Sequence, residues 1–424
     1  MKMLRYISTF VLCTLSLCTF SQDYTRLSER TIMGTARYVG MGGAMTAIGG
    51  DPSAVRDNPA GLGLYRRTEV LLTMEYANEF AIPQGSWVIS IPANVLTESG
   101  AQFHNLMISY HRTHSYMREW KVSSSNTNPS LGAQLPTLDI PFCAESYNSA
   151  NAMTFREYGL VHEFDFSWGS NFSNKWYAGA GLHIQNYAFS SYGDYTEWFN
   201  TYNVDGKQLY NQNVTTLRMN GASVNATFGV IYRPLSWLRL GFGIETPSFG
   251  SINTYTVGTL TAQTDSLRAS SMETSSRDKS YHQPFRTTFS TAFQVGAYGL
   301  FALQYDYAHA SFMDDRHSIR IGIETIPILG LYINLGYAYE STFKPYKAAA
   351  MDPKFDRQDT YSVCPRADQY ASVAFGYRGT NMIAQLAYQF HWQQTAFFTH
   401  PTATPYDVYQ NTHRIVLTLG WHHN

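Results

Sequence analysis

The chain has 424 residues, with 30 Lys and Arg against 31 Asp and Glu, so its formal net charge is −1. This balance offers no electrostatic argument for binding nucleic acid or an acidic substrate. Aromatic residues make up 15% of the chain and charged residues 14%, and the mean hydropathy of −0.25 is too polar for a bundle of membrane-spanning helices. Two explanations of the high aromatic content remain: a large core in a soluble protein, or a membrane barrel with aromatic girdles.

The first 21 residues have the organisation of a signal peptide. Lys2 and Arg5 precede an apolar run from Tyr6 to Phe20, and cleavage is expected near Ser21 or Gln22. A membrane anchor would need a longer apolar core. We therefore predict that the chain is exported and that residues 1–21 are removed.

A glycine-rich stretch from Gly34 to Tyr65 follows. It is broken into short turns and shows neither a strand alternation nor a full-length helix. Because small residues let backbones pack closely, we predict that this segment folds inside a cavity enclosed by the strands after it. Two alternatives remain open: a glycine-rich surface loop, and a dinucleotide loop, which Met45 and the lack of a preceding strand disfavour.

From Glu69 onward the sequence alternates with a period of two residues, as a strand does when one face is apolar. Leu240 and Phe242 face one way, for example, and Arg239 and Gly241 face the other. The pattern predicts roughly fourteen strands, at 69–77, 86–92, 103–112, 156–171, 175–190, 216–233, 237–249, 284–296, 300–311, 316–326, 331–343, 369–378, 382–395 and 411–421.

The connections between these strands alternate between two classes. Short turns are predicted at 173–174, 234–236, 297–299, 327–330 and 379–381, and long loops at 113–155, 191–215, 250–283, 344–368 and 396–410. Outer-membrane barrels have short turns at one end, long loops at the other and an even strand number. A soluble sandwich gives no reason for this sorting. We predict an all-β, transmembrane antiparallel barrel of about 14 strands (69–424) with residues 22–68 as a plug in its lumen.

The segment from Ala36 to Tyr65 resembles the amino-terminal hatch of the FadL family of outer-membrane transporters for hydrophobic compounds. The resemblance rests on the Met-Gly-Gly-Ala run at 41–44, the Asn-Pro-Ala triplet at 58–60 and the strand that follows. It implies that Asn58, Pro59 and Ala60 anchor the hatch. It also implies that Gly42 and Gly43 allow tight packing of the hatch.

The same resemblance implies a function and partners. The ligand would be a long-chain fatty acid or a related apolar compound that crosses by ligand-gated diffusion, without a cofactor or energy source. Outer-membrane lipid and the barrel assembly machinery would be partners, nucleic acid would not, the barrel would be a monomer, and its amino terminus would be periplasmic. The alternative is a FadL-like barrel that serves as a docking shuttle in protein secretion.

The sequence shows no catalytic constellation, so an enzyme is not predicted. His111 and His114 are expected at the end of a strand and the start of a loop. His162 faces outward but has no evident Ser partner for lipid hydrolysis. His422 and His423 are interpreted as a solvated tail with at most adventitious metal binding, so no metal site is predicted.

Cys143 and Cys364 are the cysteines that remain after the signal peptide. Both are predicted in external loops, where they either form one disulfide or stay free thiols.

The predicted inward face of the barrel carries charges of both signs. Buried charges must be paired or hydrated, so we expect salt bridges across the lumen and contacts to the plug. The residues concerned are Glu163, Asp165, Arg239, Glu245, Arg286, Asp306, Arg320, Glu324, Glu340, Arg378 and Arg414.

Overall fold

The structure is a computed structural model that describes residues 27–77, 79–80, 84–92, 101–125, 148–202, 205–263, 268–310, 313–342, 362–398 and 406–423. The predicted signal peptide and Cys143 lie outside these residues, as does the side chain of Cys364. The predicted disulfide therefore stays a prediction.

Short helices come first, followed by strands to the end of the described chain. The helices are α1 (Ala36–Gly40), α2 (Pro52–Val55) and a 3-10 helix (Pro59–Leu64). The strands are β1 (Thr68–Ala77), β2 (Glu79–Phe80), β3 (Gln84–Pro92), β4 (Ala101–Ser115), β5 (Arg118–Ser124), β6 (Ala150–Phe172), β7 (Trp176–Tyr202), β8 (Gln208–Leu235), β9 (Leu238–Glu245), β10 (Phe249–Gln263), β11 (Arg268–Tyr281), β12 (Phe285–Val295), β13 (Gly299–Ala310), β14 (Met313–Thr325), β15 (Leu331–Thr342), β16 (Ser362–Arg378), β17 (Met382–Phe398) and β18 (Tyr406–His423). None of the described helices is long and apolar enough to cross a membrane.

All eighteen described strands belong to one antiparallel sheet. The sheet closes on itself because β18 pairs with β1 along the whole length of β1, from Thr68 opposite His423 to Ala77 opposite Arg414. The described strands form fourteen wall strands, since β2 is a two-residue piece that pairs with β1 ahead of β3, β5 continues β4, β10 continues β9, and β11 continues β12. The predicted barrel of about fourteen strands is confirmed.

The two faces of the wall have opposite chemistry, as β1 shows. Val70 and Met74 point outward and are 50% and 49% exposed, whereas Glu75 points inward and is 4% exposed. A water-soluble sandwich would bury the apolar face and expose the carboxylate. The observed arrangement is that of a barrel with an apolar exterior and a polar lumen.

The turn between β6 and β7 lies where it was predicted, but it is one residue longer and spans 173–175, because Phe172 pairs with Trp176. Ser173 and Asn174 both have φ of 55°, the left-handed geometry that suits tight turns between antiparallel strands. The turn fixes the register of a hairpin whose pairs run from Phe172 opposite Trp176 to Ala150 opposite Trp198.

The predicted long loops were wrong in extent, because each of them contains strand. The β7–β8 hairpin continues to Tyr202 opposite Gln208, and almost all of the predicted loop 250–283 is the β10–β11 hairpin. Backbone ladder bonds do not require an apolar face, and the inward side chains here are polar, such as Asn211 and Asn213. The prediction ended these strands where the apolar alternation faded.

The placement of His111 and His114 at a strand end was also wrong, since both lie within β4. Residues three apart on a regular strand face opposite sides. His111 faces the lumen by regular alternation with the buried Met107 and Ser109. The register of β4 against β6 shifts between Arg112 and His114, and this extra residue brings His114 to the same face.

Candidate functional site

The described part of the amino-terminal segment, 27–67, packs inside the barrel as a hatch. Met41, Met45 and Ala47 of this segment are fully buried. They belong to one apolar cluster with small wall residues that include Ala302 and Ala338. The hatch is thus packed against the wall, as predicted for the plug.

Each hatch helix is only about one turn long and begins at a side-chain cap. Thr35 Oγ1 accepts a hydrogen bond from Tyr38 N (3.2 Å), Asp51 Oδ1 accepts from Ser53 N (2.9 Å), and Asn58 Oδ1 accepts from Ala60 N (3.1 Å). Such caps satisfy backbone donors that a short helix leaves unpaired.

Two of these caps are joined. Thr35 Oγ1 donates a hydrogen bond to Asp51 Oδ2 at 2.7 Å. Burial raises the pKa of the Asp51 carboxyl above its usual value, although the hydrogen bond from Thr35 and the charge of Arg37 oppose that shift. The pair links the starts of α1 and α2 in the hatch interior.

Asn58 connects the hatch to itself and to the wall. Its Nδ2 donates hydrogen bonds to Thr46 O at 3.1 Å and to Val230 O of β8 at 3.2 Å. The residue is 1% exposed, so water cannot readily replace these partners. The side-chain amide of Asn58 therefore caps the 3-10 helix, bonds to another part of the hatch and bonds to the barrel wall.

Pro59 and Ala60 lie directly on the inner surface of the wall. A Cβ built at Gly179 would be 2.5 Å from Pro59 O and 2.6 Å from Ala60 N, closer than side-chain carbons approach other atoms. The triplet can occupy this place only because Gly179 lacks a side chain.

The same arrangement recurs around the hatch. Seven inward positions of the wall carry glycine where hatch atoms come close, namely Gly169, Gly179, Gly229, Gly241, Gly243, Gly322 and Gly336. These contact glycines, as we call them, were missed in the sequence. The available signal was glycine at inward positions of alternating strands, as at Gly241 and Gly243.

Gly42 and Gly43 form a tight turn against the opposite side of the wall. Their φ angles are +61° and +74°, a region that costs other L-residues about 1–2 kcal/mol. A Cβ at Gly42 would also lie 2.8 Å from the backbone nitrogen of Tyr337.

We expect Gly42→Ala to loosen the hatch, because alanine there adds both backbone strain and a contact with the immobile β15 backbone. The expected loss is about 1–3 kcal/mol of hatch docking energy. Hydrogen exchange of residues 35–65 measures it. Gly50→Ala is a matched control, since Gly50 also has a positive φ (+66°) but meets no atom within 4 Å; equal effects in both variants would show that the wall contact is unimportant.

Hatch arginines are paired with wall carboxylates. Arg37 Nε and Nη2 bind Glu324 at 2.6 and 2.8 Å, and Arg56 Nη2 binds Glu163 at 2.8 Å. Arg30 binds Glu245 through both terminal nitrogens. In the opposite sense, the wall residue Arg320 contacts Asp57 of the hatch at 3.3 Å and Asp306 at 2.9 Å.

Wall charges are also paired with one another, as in Arg414 with Glu75 at 2.6 Å and Arg316 with Glu340 at 2.9 Å. The predicted mixed lining with salt bridges and plug contacts is confirmed for these residues. The ion pairs of Arg30, Arg37 and Arg56 with the wall were not predicted. Their partners lie more than 100 residues away, and the local sequence gives no information about such distant contacts.

No protein-family model matches the chain, and no curated protein matches its sequence. Solved structures do match. A FadL homologue from Pseudomonas aeruginosa aligns with a TM-score of 0.59 and 12% identity over 93% of this chain and 99% of that chain. The chain has the FadL fold.

Two further solved structures share this FadL fold. The Pseudomonas putida toluene transporter TodX aligns with a TM-score of 0.56 and 12% identity, covering 93% of this chain and 99% of its own. The Ralstonia pickettii toluene transporter TbuX aligns with a TM-score of 0.51 and 11% identity, covering 92% and 98%. The fold expected from the hatch resemblance is thus confirmed over nearly the whole chain.

His162 lies on the outer surface of the FadL-fold barrel, as predicted. Its Nδ1 is 2.7 Å from the hydroxyl of Tyr110, and the two rings stack. This contact places the histidine in an aromatic pair on β4 and β6. Such a pair is typical of the aromatic surface of a membrane barrel.

Proposed function

We propose that this FadL-fold protein lets an apolar small molecule cross the bacterial outer membrane by diffusion, with the hatch as its gate. The observation that carries the proposal is the attachment of the hatch. It is held by side-chain ties such as Asn58 to Val230 and Arg37 to Glu324, and its helices do not join the barrel sheet. A segment held this way can shift without opening the wall.

Both the exterior and the structural neighbours support this function. The outward face is apolar along the wall strands, which suits a bilayer. TodX and TbuX are described as toluene transporters. An apolar solute crosses a polar saccharide surface poorly, and a protein passage removes that barrier.

We assign residues 1–21 to a signal peptide, 22–68 to the hatch and 69–424 to the barrel. Asn58, Pro59 and Ala60 anchor the hatch, and Gly42 and Gly43 allow its close packing. Long-chain fatty acids and monoaromatic hydrocarbons are the ligand classes to test. Binding of ligand would shift the hatch by replacing some of its contacts, so transport needs a concentration gradient and no energy source.

The test compares the intact protein with a variant carrying Asn58→Ala and Pro59→Ala. Lipids extracted from protein purified out of outer membranes are identified by mass spectrometry, and uptake of labelled oleate and toluene is followed in cells. We expect bound apolar molecules in the intact protein and altered occupancy and uptake in the variant. A folded barrel that is empty and passes neither probe contradicts the proposal.

Membrane embedding has its own test. Leu386 on β17 is 49% exposed on the outer face. We expect Leu386→Arg to lower the free energy of unfolding in lipid vesicles by up to about 2–4 kcal/mol, depending on the depth of this residue in the bilayer. Urea titration in vesicles measures the change, with Leu386→Met as the control. In a water-soluble protein the arginine would be nearly neutral at so exposed a position.

A further inference from the structure

Four side chains from three neighbouring wall strands meet inside the barrel beside the hatch. They are His111 on β4, Glu163 and Asp165 on β6, and His183 on β7. Strand register brings them together, because His111 lies opposite Glu163 and Asp165 lies opposite His183. Glu163, Asp165 and His183 are at most 1% exposed.

Two of the distances suit a shared metal ion. Glu163 Oε1 lies 3.4 Å from His111 Nε2 and 3.6 Å from His183 Nδ1, and bonds of about 2.0–2.2 Å in tetrahedral geometry place ligand atoms roughly 3.3–3.6 Å apart. Asp165 lies closer to both histidines, 2.9 Å from His111 Nδ1 and 2.5 Å from His183 Nδ1. Binding one ion therefore requires Asp165 to move away from both rings, with one nitrogen of each histidine facing the ion.

One oxygen of the cluster stands out. Among the described residues, Glu163 Oε1 has no hydrogen-bond donor, although it is buried. The other oxygen of the same carboxylate, Oε2, receives hydrogen bonds from Arg56 and Gln185. A buried carboxylate oxygen without a hydrogen bond is costly, and a cation at this point would satisfy it.

Partners outside the cluster orient its members. The hydroxyl of Thr227 lies 2.7 Å from His183 Nε2, and His183 Nδ1 is hydrogen-bonded to Asp165 Oδ1, a contact that a bound ion would replace. Ser109 Oγ donates to Asp165 Oδ2 at 2.8 Å. Histidines that bind metals commonly have their second ring nitrogen held in this way.

We propose that His111, Glu163, Asp165 and His183 form a binding site for a zinc-class divalent ion. Imidazole nitrogens favour transition metals over Mg²⁺ and Ca²⁺, which prefer oxygen ligands alone. The ion ties β4, β6 and β7 together. The site touches the hatch as well, because Arg56 holds the second oxygen of Glu163.

A small cavity between hatch and wall lies beside the cluster. It is lined by His111, Arg56 and Asp57, among other residues, and the side chain of His111 is 16% exposed. His111 is therefore the most accessible member of the cluster, and an ion would meet it before the buried ligands.

The test uses the untagged, folded barrel in detergent, with His422→Ala and His423→Ala in every sample to remove the two histidines at the end of β18 as alternative ligands. Zn²⁺ is titrated by calorimetry, and Co²⁺ is added as a spectroscopic probe. We expect one ion per chain, a visible Co²⁺ absorption typical of four-coordinate geometry, and no competition from Mg²⁺.

Substitutions decide whether this cluster binds the ion. Glu163→Gln should weaken Zn²⁺ binding by about 100-fold or more, and Thr227→Val by about 10–100-fold, the range for orienting partners. His162→Ala, on the outer face of β6, should change nothing. If Glu163→Gln does not fold, as judged by heat-modifiable gel migration, His111→Gln at the more exposed position replaces it.

Two results would overturn the proposal. One is Zn²⁺ binding that is equal in the parent protein and the ligand variants, which would mean that only adventitious sites are occupied. The other is the absence of a four-coordinate Co²⁺ spectrum in the parent, which would leave the cluster as a network of ion pairs alone.

Discussion

Gly336→Ala should displace the hatch while the barrel stays closed. Gly336 lies on β15, where a Cβ would be 2.5 Å from the backbone carbon of Met41 and 2.7 Å from Gly40 O. These are backbone atoms, so no rotamer change can make room. Overpacking of this kind costs about 1–3 kcal/mol, and the hatch is the part free to move, because β15 is paired with β14 and β16.

The measurement is single-channel conductance together with protease cleavage between residues 35 and 65. We expect larger conductance and faster cleavage than in the parent. Gly299→Ala is the matched control, since Gly299 is also a strand glycine and a Cβ there would meet its nearest atom at 3.3 Å. Unchanged conductance and cleavage in Gly336→Ala would mean that the hatch docks without depending on the contact glycines.

The sidedness of the wall was accessible from the sequence. Leu240 and Phe242 alternate with Arg239 and Gly241 because successive side chains of a strand point to opposite faces. This pattern does not depend on what lies inside the barrel. The order of short turns and longer connections then fixed the antiparallel path. These are local signals, and local signals were enough to predict the barrel.

The ends of the strands were not accessible in this way. Beyond the apolar zone of β7, β8, β10 and β11 the outward face is no longer regularly apolar, and backbone pairing identifies these segments as strand. A prediction based on side-chain pattern has no information there.

The contacts of the candidate site differ in how far the sequence could predict them. A two-residue turn at Ser173 and Asn174 would pair Asp165 with Leu182, and only the observed connection of three residues, 173–175, places Asp165 opposite His183. The approach of His111 to Glu163 could not be counted in this way, because β4 and β6 are joined by a long segment and not by a tight turn. The hatch contacts were least predictable, since Arg37 and Glu324 are 287 residues apart.

Arg37→Met should be the most damaging single change in the hatch. Arg37 binds Glu324 through two nitrogens, and the two side chains are 12% and 5% exposed. Its removal leaves a buried carboxylate without its cation, which costs about 3–5 kcal/mol. We expect a loosened hatch, measured as faster hydrogen exchange at α1 and a higher rate of ligand uptake.

A double substitution distinguishes the loss of the attraction between Arg37 and Glu324 from the cost of leaving the Glu324 carboxylate buried without a partner. In Arg37→Met with Glu324→Met both charges are absent, and an apolar pair of similar volume is often as stable as a buried ion pair. We therefore expect the double variant to recover most of the docking energy that Arg37→Met alone loses. If the double variant is as loose as the single one, Arg37 acts through its bond to Gly50 O within the hatch and through packing, and the ion pair is not what holds the hatch to the wall.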